Sequence, residues 1–151
     1  MSEDKRILNI GCGEQPLKDA VNLDIVALEG VDIVCDIQDG LPFEDNRFEE
    51  VYASYVLCQI ADRDKFKFVM NSIWRVLKPG GILKLKVPDA RNPCAFQDPM
   101  DCRYFVKETF DYFNKDHYRY KVFHYGFKPW EIIKIEQERS DRLYVEMKKP
   151  L

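Results

Sequence analysis

Two glycines, Gly11 and Gly13, bracket Cys12 directly after the apolar run Ile7-Leu8-Asn9-Ile10. Asp24 closes a second apolar run, Val21-Asn22-Leu23, and Asp36 follows a third, Val31-Asp32-Ile33-Val34-Cys35. Glycine allows backbone angles that a Cβ forbids and lets a ligand lie against the main chain. An acid at the end of the next strand can accept hydrogen bonds from both hydroxyls of a ribose. A dinucleotide fingerprint would read Gly-x-Gly-x-x-Gly with its acid about 20 residues on. Here Pro16 stands where the third glycine belongs, and Asp24 follows Gly11 by only thirteen positions. The connecting helix is therefore expected to be very short or absent. That disfavours a pyrophosphate bound on a long helix N-terminus.

Other residue types could carry acid–base chemistry. Asp101, His117, His124 and Tyr55 are candidate bases, and the sequence does not choose among them. Each has a plainer role: the histidines sit among aromatics and read as packed or surface residues, and Asp101 as a partner of Arg103 or a turn cap. Cys12 fits its turn by size. Cys58 lacks a neighbouring His or Lys to activate it and reads as a small buried residue. The many rings between Tyr104 and Phe127 are expected to be mostly core or lid, with a minority free to form an acceptor pocket.

The elements that must position these residues follow from periodicity. Arg6–Ile10, Val21–Ile25, Val31–Cys35 and Glu50–Ser54 read as strands, and Leu41–Asn46 as a loop. Phe66, Val69, Met70, Ile73, Val76 and Leu77 lie on one stripe of a helix, with Asp62 or Asp64 at its start. Lys78-Pro79-Gly80-Gly81 is expected to end that helix. Ile82–Val87 follows as a strand whose alternating lysines, Lys84 and Lys86, suggest an exposed face or an edge and serve solubility. Arg91–His117 is irregular, with a short helix near Thr109–Phe113. Trp130–Glu138 and Arg142–Met147 form a closing hairpin turning at Ser140-Asp141. The pattern predicts an α/β fold: a Rossmann-like, doubly wound, mostly parallel sheet with a C-terminal antiparallel hairpin. Residues 1–151 are expected to form a single domain.

Composition narrows the classes. Of 151 residues, 46% are hydrophobic and 32% charged, which fits a globular chain. The formal net charge of −3 disfavours bulk nucleic acid as a partner. Lys148-Lys149 reads as a solvated strand end. The first six residues carry no apolar signal core, and no run is long enough for a membrane span, so a cytoplasmic place is expected. Five cysteines with no Cys-x-x-Cys spacing disfavour both a disulfide framework and a metal site.

The series Ile10-Gly11-Cys12-Gly13, Asp24, Asp36, Leu41-Pro42-Phe43, Ala53-Ser54-Tyr55-Val56-Leu57 and Leu77-Lys78-Pro79-Gly80-Gly81 resembles class I S-adenosylmethionine-dependent methyltransferases. It is most similar to the small type 11-like branch whose glycine loop runs straight into the second strand. The resemblance implies that Gly11, Cys12 and Gly13 lie against the amino-acid end of the cofactor. Asp24 would hold the ribose, Ile25 would pack on the adenine, and Asp36 beside Ile37 would accept the adenine amino group. Ser54 and Tyr55 would border the methionine moiety and the methyl group. Where relatives often carry Ser-His-Val-Leu-Glu-His, this chain has Ser54-Tyr55-Val56-Leu57-Cys58-Gln59. Where they often carry Asp-Pro-x-His-x-Arg, it has Asp98-Pro99-Met100-Asp101-Cys102-Arg103. Both changes fall on the acceptor side.

The resemblance implies transfer of a methyl group from S-adenosylmethionine, leaving S-adenosylhomocysteine. The acceptor would be a small molecule or an exposed group of a macromolecule, reached by in-line displacement. A binding module without turnover, completing its site with a partner subunit, is the alternative. A nicotinamide-dependent oxidoreductase is a third reading, opposed by Pro16, by the short spacing to Asp24 and by the lack of a Tyr-x-x-x-Lys pair.

Overall fold

The computed structural model describes residues 4–151. The start of the segment read as lacking a signal core, Met1-Ser2-Glu3, lies outside the described residues. Strands β1 (Ile7–Ile10), β2 (Ala20–Asp24), β3 (Ile33–Val34), β4 (Phe48–Ser54), β5 (Leu77–Pro88), β6 (Glu131–Glu138) and β7 (Arg142–Lys148) form one sheet in the order β3-β2-β1-β4-β5-β7-β6. β1 to β5 pair in parallel, and β7 runs antiparallel to both β5 and β6. The expected mostly parallel sheet with an antiparallel closing hairpin is borne out.

Period-two patterning sorts the strands into two faces. Val21, Leu8, Val51, Leu83 and Met147 pair in register across the sheet, as do Leu23, Ile10, Ala53, Leu85 and Val145. All ten are buried. Helix α1 (Arg63–Val76) packs on this face through Phe66, Val69, Met70, Ile73 and Val76. Asp62 caps it, accepting from the Lys65 N–H at 2.9 Å. The intervening row on the other face reads Asn22, Asn9, Tyr52, Lys84, Glu146 and Lys134.

Right-handed crossovers explain why only one face carries a helix. β2 and β5 lie on opposite sides of the β1–β4 pair, so their crossovers pass over opposite faces. The β4-to-β5 connection contains α1. Residues 11–19 and 25–32, which join β1 to β2 and β2 to β3, contain no helix. The first of these folds down over the other face instead. The Leu17 N–H donates to Asn22 Oδ1 at 2.8 Å, and Asn9 Nδ2 donates to the same oxygen at 3.0 Å.

Four local expectations are corrected. Leu77 is already extended (φ −75°, ψ 141°) and begins β5, so α1 stops before Lys78-Pro79-Gly80-Gly81. Those residues instead lie within β5, opposite a register shift between Phe48 and Glu50 of β4, with Gly80 at φ +83° donating to the Lys149 carbonyl at 2.8 Å. β5 is no edge strand, since it lies between β4 and β7. Lys149 is not a solvated end. It is 5% exposed, donates to Asn46 Oδ1 and the Leu77 carbonyl at 2.8 Å each, and lies 3.9 Å from the Trp74 ring centroid. Burial pushes its ammonium pKa down. The hairpin turns on Arg139 and Ser140, one residue earlier than expected, because both take the left-handed angles (φ 51° and 60°) that match strand twist.

Between β5 and β6, a 3₁₀ segment (Lys107–Tyr112) replaces the short helix expected near Thr109–Phe113, and a second helix, α2 (Tyr118–Phe123), follows. None of α2's residues is buried, so it left no apolar stripe to find. Among the described residues no helix is long and apolar enough to cross a membrane.

Candidate functional site at the strand ends

β1 and β4 are the neighbours from which the chain winds in opposite directions, and the cleft beyond their carboxyl ends is where open α/β sheets bind ligands. A cavity of about 380 Å³ opens there, within the usual range for small-molecule sites. Gly11, Asp24, Ile25, Asp36, Ile37, Ser54 and Tyr55 all line it.

The glycine loop is held by β2. The Gly11 and Cys12 N–H groups both donate to the Leu23 carbonyl, at 2.8 and 3.1 Å. Gly11 has φ +65°, and a Cβ there would meet Val56 Cγ2 at 2.3 Å, so no side chain fits. The Gly13 N–H donates to Asp24 Oδ2 at 2.8 Å and the Val26 N–H to Asp24 Oδ1 at 3.0 Å. The carboxylate is thereby oriented, and each oxygen retains capacity for another donor. Ile25 is 63% exposed beside it, an apolar side chain left open at the cavity wall. Asp36 caps the 3₁₀ turn Ile37–Asp39, with Oδ1 accepting from the Gln38 N–H at 2.9 Å.

Tyr55 is a non-glycine residue at φ +57°. Such backbone costs on the order of 1 kcal/mol or more and persists only where the surroundings impose it. Here the Tyr55 N–H donates to the Lys86 carbonyl at 2.9 Å, and Arg142 lies 5.9 Å from the ring centroid. Burial pushes the phenol pKa up.

Cys12 and Gly13 face a second cavity, of about 690 Å³, on the helix-free face. It shares Gly11, Ser54 and Tyr55 with the first. Lys84 and Lys86 line it with Tyr52 and Tyr144, so these lysines do more than keep an edge soluble. Lys84 Nζ donates to Glu50 Oε2 at 3.2 Å and to the Tyr52 hydroxyl at 3.3 Å, and Lys86 pairs with Glu138 at 3.4 Å. The Tyr144 hydroxyl donates to Glu146 at 2.7 Å, and burial followed by that carboxylate pushes its pKa up.

Of the candidate bases, only Tyr55 lines either cavity. His117 caps α2, its Nδ1 accepting from the Arg119 N–H at 3.2 Å, and its Nε2 lies 3.6 Å from Asp111. His124 ends α2 in a left-handed conformation. Asp101 does not pair with Arg103, which donates instead to the Ile60 and Ala61 carbonyls at 2.9 and 3.4 Å. The Cys58 thiol is pushed up to about 12, first by burial and then by the neighbouring Asp101 carboxylate. Cys58 is thus an inert thiol, as its surroundings in sequence suggest. Sequence reasoning missed Gln38, Val56, Gln59, Ile60 and Met100 in the smaller cavity. Met100 lies far along the chain in an irregular loop; the resemblance puts its segment, Asp98–Arg103, on the acceptor side without singling it out.

A methyltransferase-domain family model matches residues 15–85. The ubiquinone/menaquinone biosynthesis C-methyltransferase of Pasteurella multocida (strain Pm70) is 47% identical over 45 residues. That stretch is 30% of this chain and spans only 16% of the curated relative's length. Among solved structures, the [4+2]-cyclase SpnF superposes with a TM-score of 0.67 at 16% identity, covering 97% of this chain and 74% of its own. The 1,6-didemethyltoxoflavin-N1-methyltransferase of Burkholderia thailandensis, solved with S-adenosylhomocysteine and 1,6-didemethyltoxoflavin, has a TM-score of 0.67 at 13% identity. It covers 96% of this chain and 71% of its own. Likeness at these identities establishes the fold.

Proposed function

We propose that this chain, which resembles class I S-adenosylmethionine-dependent methyltransferases in sequence and fold, binds S-adenosylmethionine beyond β1, β2 and β4 and transfers its methyl group to an acceptor. The observation that carries this reading is the Asp24 carboxylate. It is held by the Gly13 and Val26 N–H groups at the wall of a cavity that the glycine loop also lines. The residues present fit the cofactor. Asp24 binds the ribose hydroxyls, Ile25 and Ile37 flank the adenine, and Asp36 accepts its amino group. Gly11, Cys12 and Gly13 lie along the amino-acid end, with Ser54 and Tyr55 near the reacting methyl.

When bound, the cofactor supplies a methyl group already activated by its sulfonium. The protein's part is therefore chiefly to hold an acceptor in line and exclude water. Tyr55 is the side chain placed to do this, since it stands in the wall common to both cavities. The acceptor is a small molecule or an exposed group of a macromolecule, and we place the reaction in a single domain in the cytoplasm.

Titration with S-adenosylhomocysteine in a calorimeter, with NAD as control, tests the cofactor. Binding of the first alone is expected, and Asp24→Ala should weaken it by at least about tenfold, the loss of one charged hydrogen bond or more. Unchanged affinity in that variant removes Asp24 from the site. The helix-free sheet face favours a second reading, in which a partner subunit completes the site and the chain alone binds without turnover. Transfer of label from radioactive cofactor to a panel of acceptors separates the two.

A further inference from the structure

The segment between β5 and β6 presents stacked rings and unpaired positive charge on one surface. Tyr112, Phe123 and Tyr125 cluster with ring centroids 5.7, 5.9 and 5.6 Å apart and interplanar angles of 37°, 21° and 17°. Unlike the core rings Phe105, Phe110 and Phe113, these are not fully enclosed: Phe123 is 47% and Tyr125 49% exposed. Cavities of about 440 and 300 Å³ meet at Tyr112, Tyr125 and Phe127. Arg119 and Lys121 line one, and Arg63, Lys67 and Arg103 the other. Among the described residues, none of these five cations has a carboxylate within 4.0 Å. Among the described residues Asp64 is the one acid lining either cavity. What sets this surface apart is the gathering of these cations around exposed rings rather than the lack of ion pairs alone. A chain whose net charge is −3 thus places cations without a carboxylate in contact beside aromatic rings, Arg119 over Tyr112 at 5.4 Å and Arg103 over Phe66 at 4.0 Å.

We infer that this surface binds an unpaired stretch of a nucleic-acid strand. Bases stack on the open rings of Phe123 and Tyr125, and phosphates meet Arg119, Lys121 and Lys67. Stacking tolerates any base because each has a π-face, and clustered cations track the backbone. A duplex hides those faces and is bound less well. The overall acidity argues against a broad electrostatic footprint, not against a groove a few nucleotides long. The surface also adjoins the strand-end cleft: Arg103, at its margin, donates to the carbonyl of Ile60, which lines the smaller cavity there. The inference goes beyond the cofactor reading and does not depend on it.

Fluorescence anisotropy with labelled oligouridylate and oligothymidylate, each about twelve nucleotides, against a duplex of equal length, tests it. Single strands are expected to bind at low salt, more tightly than duplex, and to weaken steeply as salt rises from about 50 to 200 mM. Replacing both rings, Phe123→Ser with Tyr125→Ser, should lower affinity about tenfold or more. Arg119→Gln with Lys121→Gln, charge changes on α2, should lower affinity and flatten the salt dependence by about one to two phosphate contacts. Asp24→Ala should leave strand binding unchanged, which separates this test from the cofactor test. No binding by folded protein at low salt, equal affinity for duplex, or undiminished affinity in both paired variants overturns the inference.

Discussion

The two faces of the sheet are built from the same strands in the same register, yet one is sealed and the other open. On the sealed face the row Val21, Leu8, Val51, Leu83, Met147 meets α1 and the Phe66, Phe105, Phe110 and Phe113 rings. On the open face the row Asn22, Asn9, Tyr52, Lys84, Glu146 meets a loop over β1 and β2 and a cavity over the rest. The difference lies in the connections: residues 11–19 and 25–32 form no helix, so among the described residues no helix covers that face. Its residues satisfy one another instead, Asn9 with Asn22, Lys84 with Glu50 and Tyr52, Tyr144 with Glu146. A polar sheet face is tolerable when its buried donors and acceptors pair, and costly when they do not.

The comparison breaks if the sealed face proves dispensable. Phe105 is 1% exposed, with its ring 5.8 Å from Phe110 and 6.3 Å from Phe66. Phe105→Ala should cost about 3–5 kcal/mol in urea unfolding, as aromatic core truncations do. A loss under about 1 kcal/mol would mean that the aromatic layer is loosely packed.

Asp89 gives an intermediate effect and a pH signature. It is fully buried just past β5, accepting from Arg91 at 2.6 to 3.1 Å and from Gln137 of β6 at 3.1 Å. Those Arg91 bonds, opposed by burial, hold its carboxyl below the ordinary value of 3.8. A carboxylate with a depressed native pKa stabilises the fold fully above its unfolded pKa. That contribution is lost as pH falls below about 4 and through the native value. Asp89→Asn should cost about 1–3 kcal/mol at neutral pH by leaving its donors partly unmatched. It should also flatten the acid limb of a stability–pH profile; an unchanged limb would take Asp89 out of the acid response.

The smallest effect is expected on the open face. Lys84→Ala removes a half-buried ion pair and should cost about 1 kcal/mol or less by the same urea assay. A cost rivalling that of Phe105→Ala would mean that the open face contributes to stability as a core does.

Much of the candidate site was legible because its signals are local. Gly11, Asp24 and Asp36 stand at the ends of short apolar runs, and parallel pairing of those runs brings them to one cavity. The α1 stripe and its Asp62 cap were equally local. What stayed hidden was set by distant contacts. Lys149 reads as solvated, but it is drawn inside by Asn46, Leu77 and Trp74. Met100 reaches the cavity from an irregular loop, and α2 has no buried stripe to betray it.

The sequence by itself determined the period of each strand, the glycine turn and the acids that follow it, since these depend on neighbours a few residues apart. Only the tertiary structure decided which face each alternating residue occupies, that Lys84 and Lys86 line a cavity rather than an edge, and that rings and cations between β5 and β6 share one surface. Those outcomes depend on crossover handedness and on loop lengths, which act between elements and leave no periodic mark on the chain.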